Sequence, residues 1–244
     1  MNIKDDSWLI TRPIAHRGLH DDEYPENTLP AFELAAAKDY PIELDVRLSK
    51  DGKLFVLHDR NILRVTGTDR DLSDMTADEL SGTKVLGSEF PIPSFKNVLA
   101  AIDGRVPILI EIKSDSLPGR LEKKLGEILV KYIGEYAIES FNPASLLSMR
   151  SRKKELGFYT GQLSYLFEDY DMPGAGKWLF KDCHLNFIVK PDFIAYDITA
   201  LPRVSIERER SRGIGLLGWT VQNDDDKRLA EDLCDNYIFE GIRP

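Results

Sequence analysis

At 244 residues the chain has the length of one large α/β domain, long enough to bury roughly three quarters of its unfolded surface without a disulfide framework or structural metal. A formal charge of −9 argues against a protein that tracks a nucleic-acid backbone, and no run approaches the ~20 apolar residues of a membrane span. Cys183 and Cys234 lack metal-ligand or redox spacing and the first ten residues lack a signal-type apolar region, so the expectation is a cytoplasmic protein.

In chain order, residues 12–15 form a compact apolar run that delivers His16-Arg17-Gly18 at its end. A polar loop follows to Asn27, where Asn27 or Thr28 is placed to cap a helix with Pro30 in its first turn. Residues 42–48 read as a strand broken by Glu43 and Asp45, two acids two positions apart and so on one face. A buried face rejects paired like charges unless a cation or a raised pKa compensates. The turn signal Lys50-Asp51-Gly52 precedes the apolar run 54–57. A loop this short cannot join parallel strands, so 42–48 and 53–57 are expected as an antiparallel hairpin that sets His58 opposite Asp45. Residues 59–93 read as an insertion with one helical candidate at 76–80.

Ser94 caps a predicted helix to residue 101, and 106–113 is a nearly continuous apolar strand, as expected for one buried on both faces, with Glu111 and Lys113 at its end. Strand and helix then alternate: a helix over 117–133, a strand over 136–139, a helix from Asn142-Pro143 to 152 and a strand over 158–163. Residues 164–190 are irregular and aromatic-rich, with Tyr165, Phe167, Tyr170, Trp178, Phe180 and Phe187. A strand at 193–196, a helix over 202–212, a strand at 215–221, a helix over 224–233 and a strand at 237–239 complete the pattern. Setting the hairpin return aside, about eight strands of parallel type remain. Eight alternating β and α units in this length predict a TIM-type (β/α)8 barrel, one domain over 1–244, with the acids and His16 at the strand C-termini where that fold builds its sites.

The ordered set His16-Arg17-Gly18, Pro25-Glu26-Asn27-Thr28, Glu43-x-Asp45-Val46, Asp51-Gly52, His58-Asp59 and Glu111-Ile112-Lys113 resembles the glycerophosphodiester phosphodiesterase family. Ser140-Phe141 and Trp219-Thr220-Val221 extend the resemblance over most of the chain. It implies a TIM barrel that cleaves glycerophosphodiesters to glycerol 3-phosphate and an alcohol. It further implies a divalent metal on Glu43, Asp45 and Glu111, acid and base at His16 and His58, and phosphate contact by Arg17. Two departures are visible, Gln222 where the family often has Asn and Glu240 where Asp is usual, and they put substrate preference in question before activity.

The residue types suit that chemistry. Phosphodiester hydrolysis needs positive charge on the non-bridging oxygens, a base for the nucleophile and an acid for the leaving oxygen. Three hard carboxylates suit Mg²⁺ or Ca²⁺, with Mn²⁺ a third candidate, and two histidines divide the proton transfers. The neighbouring substrate hydroxyl offers a route through a cyclic phosphate. Lys113 reads either as a further phosphate contact or as a partner of a neighbouring acid, and Glu26 and Asn27 as turn and cap or as support behind the site. Trp219 reads as core or as an apolar wall for the glycerol or leaving alcohol, whereas the aromatics of 164–190 read as packing before a lipid lid, and His20 and His184 as surface or loop residues. Two competing functions are a lysophospholipase D-type enzyme acting on lysophospholipids and a non-catalytic barrel that binds phosphate esters.

Overall fold

The computed structural model describes residues 3–114, 117–169 and 171–244. The side chain of Ser7 accepts from Leu9 N and opens a short helix α1 (Trp8–Thr11), an element too brief to show in the sequence periodicity. Strand β1 (Ile14–Ala15) follows, then helix α2 (Leu29–Ala37) with Pro30 in its first turn. Neither proposed residue caps α2 by its side chain: Thr28 donates its hydroxyl to Pro25 O, and Asn27 is turned toward β2.

Strands β2 (Ile42–Leu48) and β3 (Leu54–Val56) form the expected antiparallel hairpin. Its register differs by one residue from the expectation. Val46 faces Val56, and Leu57 rather than His58 stands opposite Asp45, donating its N–H to the Asp45 carbonyl at 3.0 Å. The turn is the cause. Ser49 N donates to Lys53 O at 2.8 Å, which leaves a three-residue loop closed by Gly52 at φ +78°, the left-handed position such a loop requires. His58 therefore lies one step past the pair and reaches the site from the loop.

The 59–93 segment holds α3 (Leu63–Thr66), a 3-10 turn at Leu72–Asp74 and α4 (Ala77–Gly82), the last matching the helical candidate. Phe55, Leu57, Ile62, Val65, Leu72, Met75, Leu80 and Ile92 form a separate small apolar core beneath it. Next come α5 (Phe95–Ile102), capped by Ser94, and strand β4 (Ile108–Ile112). Helix α6 (Arg120–Leu129) is shorter than the expected 117–133, because its capping position is Gly119, whose N–H donates to the Glu122 side chain.

Strand β5 (Tyr136–Ser140), helix α7 (Pro143–Leu156) on its Asn142 cap and strand β6 (Tyr159–Ser164) follow. The 164–190 region contains helices α8 (Gly174–Lys181) and α9 (Asn186–Val189); Tyr170 lies outside the described residues. Strand β7 (Phe193–Asp197), helix α10 (Val204–Arg210), strand β8 (Gly215–Val221), helix α11 (Asp224–Leu233) and strand β9 (Asn236–Phe239) end the chain.

β1 pairs in parallel with both β2 and β9, which closes eight parallel strands into the TIM-type barrel; β3 lies outside the ring, on β2. Alternate residues along each strand divide between two cores. Ile42, Leu44, Val46, Ile108 and Ile110 face the helices, while Ile14, Leu109, Ala137, Leu163, Phe193, Leu217 and Ile238 fill the barrel. Trp8 and Leu9 of α1 pack on that inner set, and Asn236 donates to the carbonyls of Leu9 and Arg12, so α1 caps the barrel floor. Gly161 leaves room for the Phe193 ring, against which a β-carbon would stand at 2.1 Å. Among the described residues no helix is long and apolar enough to cross a membrane.

Candidate active site

Toward the C-terminal ends of the strands the inward-facing positions change from apolar to charged. β2 contributes Glu43, Asp45 and Arg47, and β4 contributes Glu111 followed by Lys113. β5 contributes Glu139, which lies in register beside Glu111 as Glu111 lies beside Asp45. Glu43, Asp45 and Glu111 are buried, and each offers a carboxylate oxygen within 4.8 Å of the other two. Burial, with Asp45 and Glu111 as neighbours, raises Glu43 well above the ordinary carboxyl range, and burial lifts Glu111 to about 7. Burial opposes the charge on Asp45 too, but Lys113, His58 and Arg17 outweigh it and hold that carboxyl low. The set is short of positive charge. Lys113 supplies some, with Nζ 2.8 Å from Glu111 Oε2 and 3.2 Å from Asp45 Oδ1, so it pairs with these acids as one of its two readings anticipated.

The donor set fits a hard divalent cation: three converging carboxylates without a thiolate, and a Glu111 Oε1 that is buried without a hydrogen-bond partner. Glu139 is a fourth acid that the sequence reading passed over. It is buried, lines the same cleft, is pushed up by burial and by Glu111, and has an unpartnered Oε2. Its signal was present, since it ends an apolar strand as Glu111 does.

Each histidine is oriented by a carboxylate. His16 sits just beyond β1, with Nδ1 2.8 Å from Glu240 Oε2 and Nε2 3.9 Å from Glu43 Oε2. His58 has Nδ1 2.8 Å from Asp59 Oδ1, while Arg47 grips its carbonyl through Nε at 2.9 Å and Nη2 at 2.7 Å. An ionised carboxylate only accepts, so the proton sits on Nδ1 in each ring and Nε2 is the free nitrogen. Burial lowers both imidazoles, that of His58 to about 4. His20, expected as a surface or loop residue, lies in the loop after β1 with Nε2 3.4 Å from Glu240 Oε1; His184 lies over Trp178.

Arg17 adopts φ +53° and donates its backbone N–H to Glu43 Oε2 at 2.9 Å. Its guanidinium lies 2.9 Å from Glu26 Oε1 and 3.5 Å from Asp45 Oδ2. Asn27 donates to Asp45 Oδ2 at 2.8 Å, so Glu26 and Asn27 both stand behind the charged groups.

His16, Arg17, His58, Glu43, Glu111 and Glu139 line one side of a cleft of about 990 Å³, with Asp45 buried behind them. The other side is aromatic: Phe141, Tyr165, Phe167 and Trp219 pack on one another with ring centroids 4.1–6.3 Å apart. Trp219 thus lines the cleft as well as packing, and Phe180 extends the wall. Trp178 and Phe187 are exposed.

The model of the "Glycerophosphoryl diester phosphodiesterase family" matches residues 16–239. A glycerophosphodiester phosphodiesterase of Caldanaerobacter subterraneus is 37% identical over 95% of each chain. A mouse lysophospholipase D is 33% identical, covering 92% of this chain and 81% of its own. In fold, the chain is similar to an Oleispira antarctica phosphodiesterase solved with the product sn-glycerol-3-phosphate. That likeness has a TM-score of 0.80 at 20% identity, covering 95% of this chain and 93% of the other.

Proposed function

The chain belongs to the glycerophosphoryl diester phosphodiesterase family, and from that membership we propose that it hydrolyses glycerophosphodiesters to sn-glycerol 3-phosphate and an alcohol. One observation carries the reading: three buried carboxylates from two barrel strands converge within 4.8 Å beside a cleft lined by two of them and by two carboxylate-oriented imidazoles. A divalent cation on Glu43, Asp45 and Glu111, Mg²⁺ or Ca²⁺ before Mn²⁺, would place positive charge on the non-bridging phosphate oxygens. Arg17 and Lys113 bind and orient the phosphate, with Arg17 held in turn by Glu26. His16 and His58 divide the proton transfers through Nε2: one, with Nε2 free, takes the proton of the attacking hydroxyl, and the other, in its doubly protonated form, supplies its Nε2 proton to the leaving oxygen. Where the attacking group is the neighbouring glycerol hydroxyl, its oxygen bonds to phosphorus as the bond to the leaving alcohol breaks, and water then opens the cyclic phosphate. Residues 1–244 are read as a single barrel domain with 59–93 as an insertion, and the lone cysteines favour the cytoplasm.

Release of glycerol 3-phosphate from glycerophosphocholine tests this directly. Chelation of divalent ions should abolish it, and His16→Ala and His58→Ala should each lower it at least about a hundredfold, the scale of a lost general acid or base. An unchanged rate in a histidine variant removes that residue from the reaction.

The aromatic wall favours a second reading, a lysophospholipase D-type activity in which an acyl chain lies on Phe141, Tyr165, Phe167 and Trp219. Parallel assays with lysophosphatidylcholine and glycerophosphocholine separate the two readings by the ratio of kcat/KM. Binding of either ester with no turnover in Mg²⁺, Ca²⁺ or Mn²⁺ would instead mark a non-catalytic barrel.

A further inference from the structure

Two acids that steady the proposed reacting groups converge on one guanidinium. Asp59 holds His58 Nδ1 at 2.8 Å, and Glu26 holds Arg17 Nη1 at 2.9 Å. Arg64 reaches both acids at once: its Nε donates to Asp59 Oδ2 at 2.6 Å, and its Nη1 and Nη2 donate to Glu26 Oε2 and Oε1 at 3.0 and 2.7 Å. A planar fork can engage two carboxylates at fixed angles, which a flexible ammonium cannot.

Arg64 is not a barrel residue. It sits on α3 in the 59–93 segment, where Ile62 and Val65 are buried in the segment's own core and Gly67 ends the helix at φ +76°. Packing therefore fixes the backbone beneath Arg64 independently of the ion pairs. Its side chain is half exposed, and ion pairs at such positions add little to stability. Their use here is orientation.

We propose that Arg64 is a positioning residue that locks Asp59 and Glu26 together, so that His58 and Arg17 are held at a fixed spacing across the mouth of the cleft. This rests on the roles given above to His58 and Arg17. Through Arg64 the 59–93 segment thereby becomes part of the catalytic apparatus.

The test compares Arg64→Gln and Arg64→Lys with Arg70→Gln. Arg70 is a control in the same segment, paired with Glu79 and the Asp74 carbonyl and away from the cleft. Glycerol 3-phosphate release should fall roughly tenfold to a hundredfold in kcat for Arg64→Gln, the usual cost of removing a supporting partner, with a much smaller change in KM. Arg64→Lys should recover part of the loss, and Arg70→Gln should match wild type. The Asp59→Asn/Arg64→Gln double variant should lose less than the product of the two single losses, because their effects on His58 overlap while only Arg64→Gln also loosens Arg17. Nitrogen-15 NMR of the histidines supplies a readout independent of turnover: Arg64→Gln should convert His58 from a single Nδ1–H tautomer to a mixture. A wild-type kcat in Arg64→Gln, an equal fall in Arg70→Gln, or unchanged His58 nitrogen shifts overturns the proposal. If the wild-type protein releases no glycerol 3-phosphate with any of the three cations, the phosphodiesterase reading fails, and the nitrogen shifts alone decide the role of Arg64.

Discussion

Glu240 accepts from His16 at 2.8 Å, lies 3.4 Å from His20, and is 3.5 Å from Gln222 Nε2. The hydrogen bond from His16, with His20 close by, is what holds its carboxyl low, so it stays charged and keeps the His16 proton on Nδ1. Glu240→Ala should lower kcat by roughly tenfold to a hundredfold, as loss of an orienting partner does elsewhere, while the protein stays folded. Steady-state kinetics with circular dichroism checks this, and a wild-type kcat would sever Glu240 from His16. The two departures from the family pattern, Gln222 and Glu240, touch each other, and Glu240 lies directly behind His16. At the sequence level they looked like matters of substrate preference, because position 240 is far from 16 in the chain and only barrel closure brings the two together. The acids were easier to read: Glu43, Asp45 and Glu111 interrupt apolar strands with the period of two that betrays a shared face. Glu139 carries the same signal but lacks a neighbour two residues away, and a single acid at a strand end is weak on its own.

Among the elements, the β2–β3 hairpin decides where His58 emerges. Its strands and their antiparallel sense were legible from loop length, but the register was not, since turns differing by one residue suit the same sequence. Gly52 at φ +78° fixes the choice, and a β-carbon there would also stand 3.0 Å from Arg120 Nη2. Gly52→Ala should cost about 1–2 kcal/mol, the penalty of a left-handed conformation for a side-chain-bearing residue, measurable as a lower urea midpoint. An unchanged midpoint would mean that the turn adapts at little cost. Helix α4 offers a pH-dependent counterpart. Glu79 accepts from the Thr76 backbone N–H and hydroxyl and from Arg70, which hold its carboxyl down at about 2 against an ordinary 4.5. A depressed pKa in the fold stabilises above the unfolded value, and that contribution disappears as pH drops from 4.5 toward 2. The Tm advantage of wild type over Glu79→Gln should thus be present at pH 6 and vanish near pH 2. A difference that is constant with pH would argue that Glu79 acts by shape alone.

For the whole molecule, closure of the ring concentrates buried acids at one end of the barrel. The eight parallel strands were recoverable from the alternation of apolar runs and helices, whereas α1, the floor of the barrel, is a single turn and leaves no periodic trace. Burial resists ionisation of Glu43, Glu111 and Glu139, and among the described residues Lys113 and Arg17 are the cations that oppose it. Folding this site without a cation therefore works against the rest of the core. A ligand that binds the native state alone stabilises it by RT ln(1 + [L]/Kd), about 2.7 kcal/mol at a hundredfold excess over Kd. For a chain of this length that corresponds to a rise in Tm of roughly 5–10 °C. Wild-type protein stripped with chelator should show that rise on titration with Mg²⁺ or Ca²⁺. Asp45→Asn and Glu111→Gln should respond much less, because each keeps its volume but withdraws a charge from the cluster. The measurement needs no substrate, so it addresses cation binding separately from turnover. Equal rises in wild type and both variants would place the bound ion elsewhere on the protein and leave the convergence of residues 43, 45 and 111 to be explained by Lys113 alone.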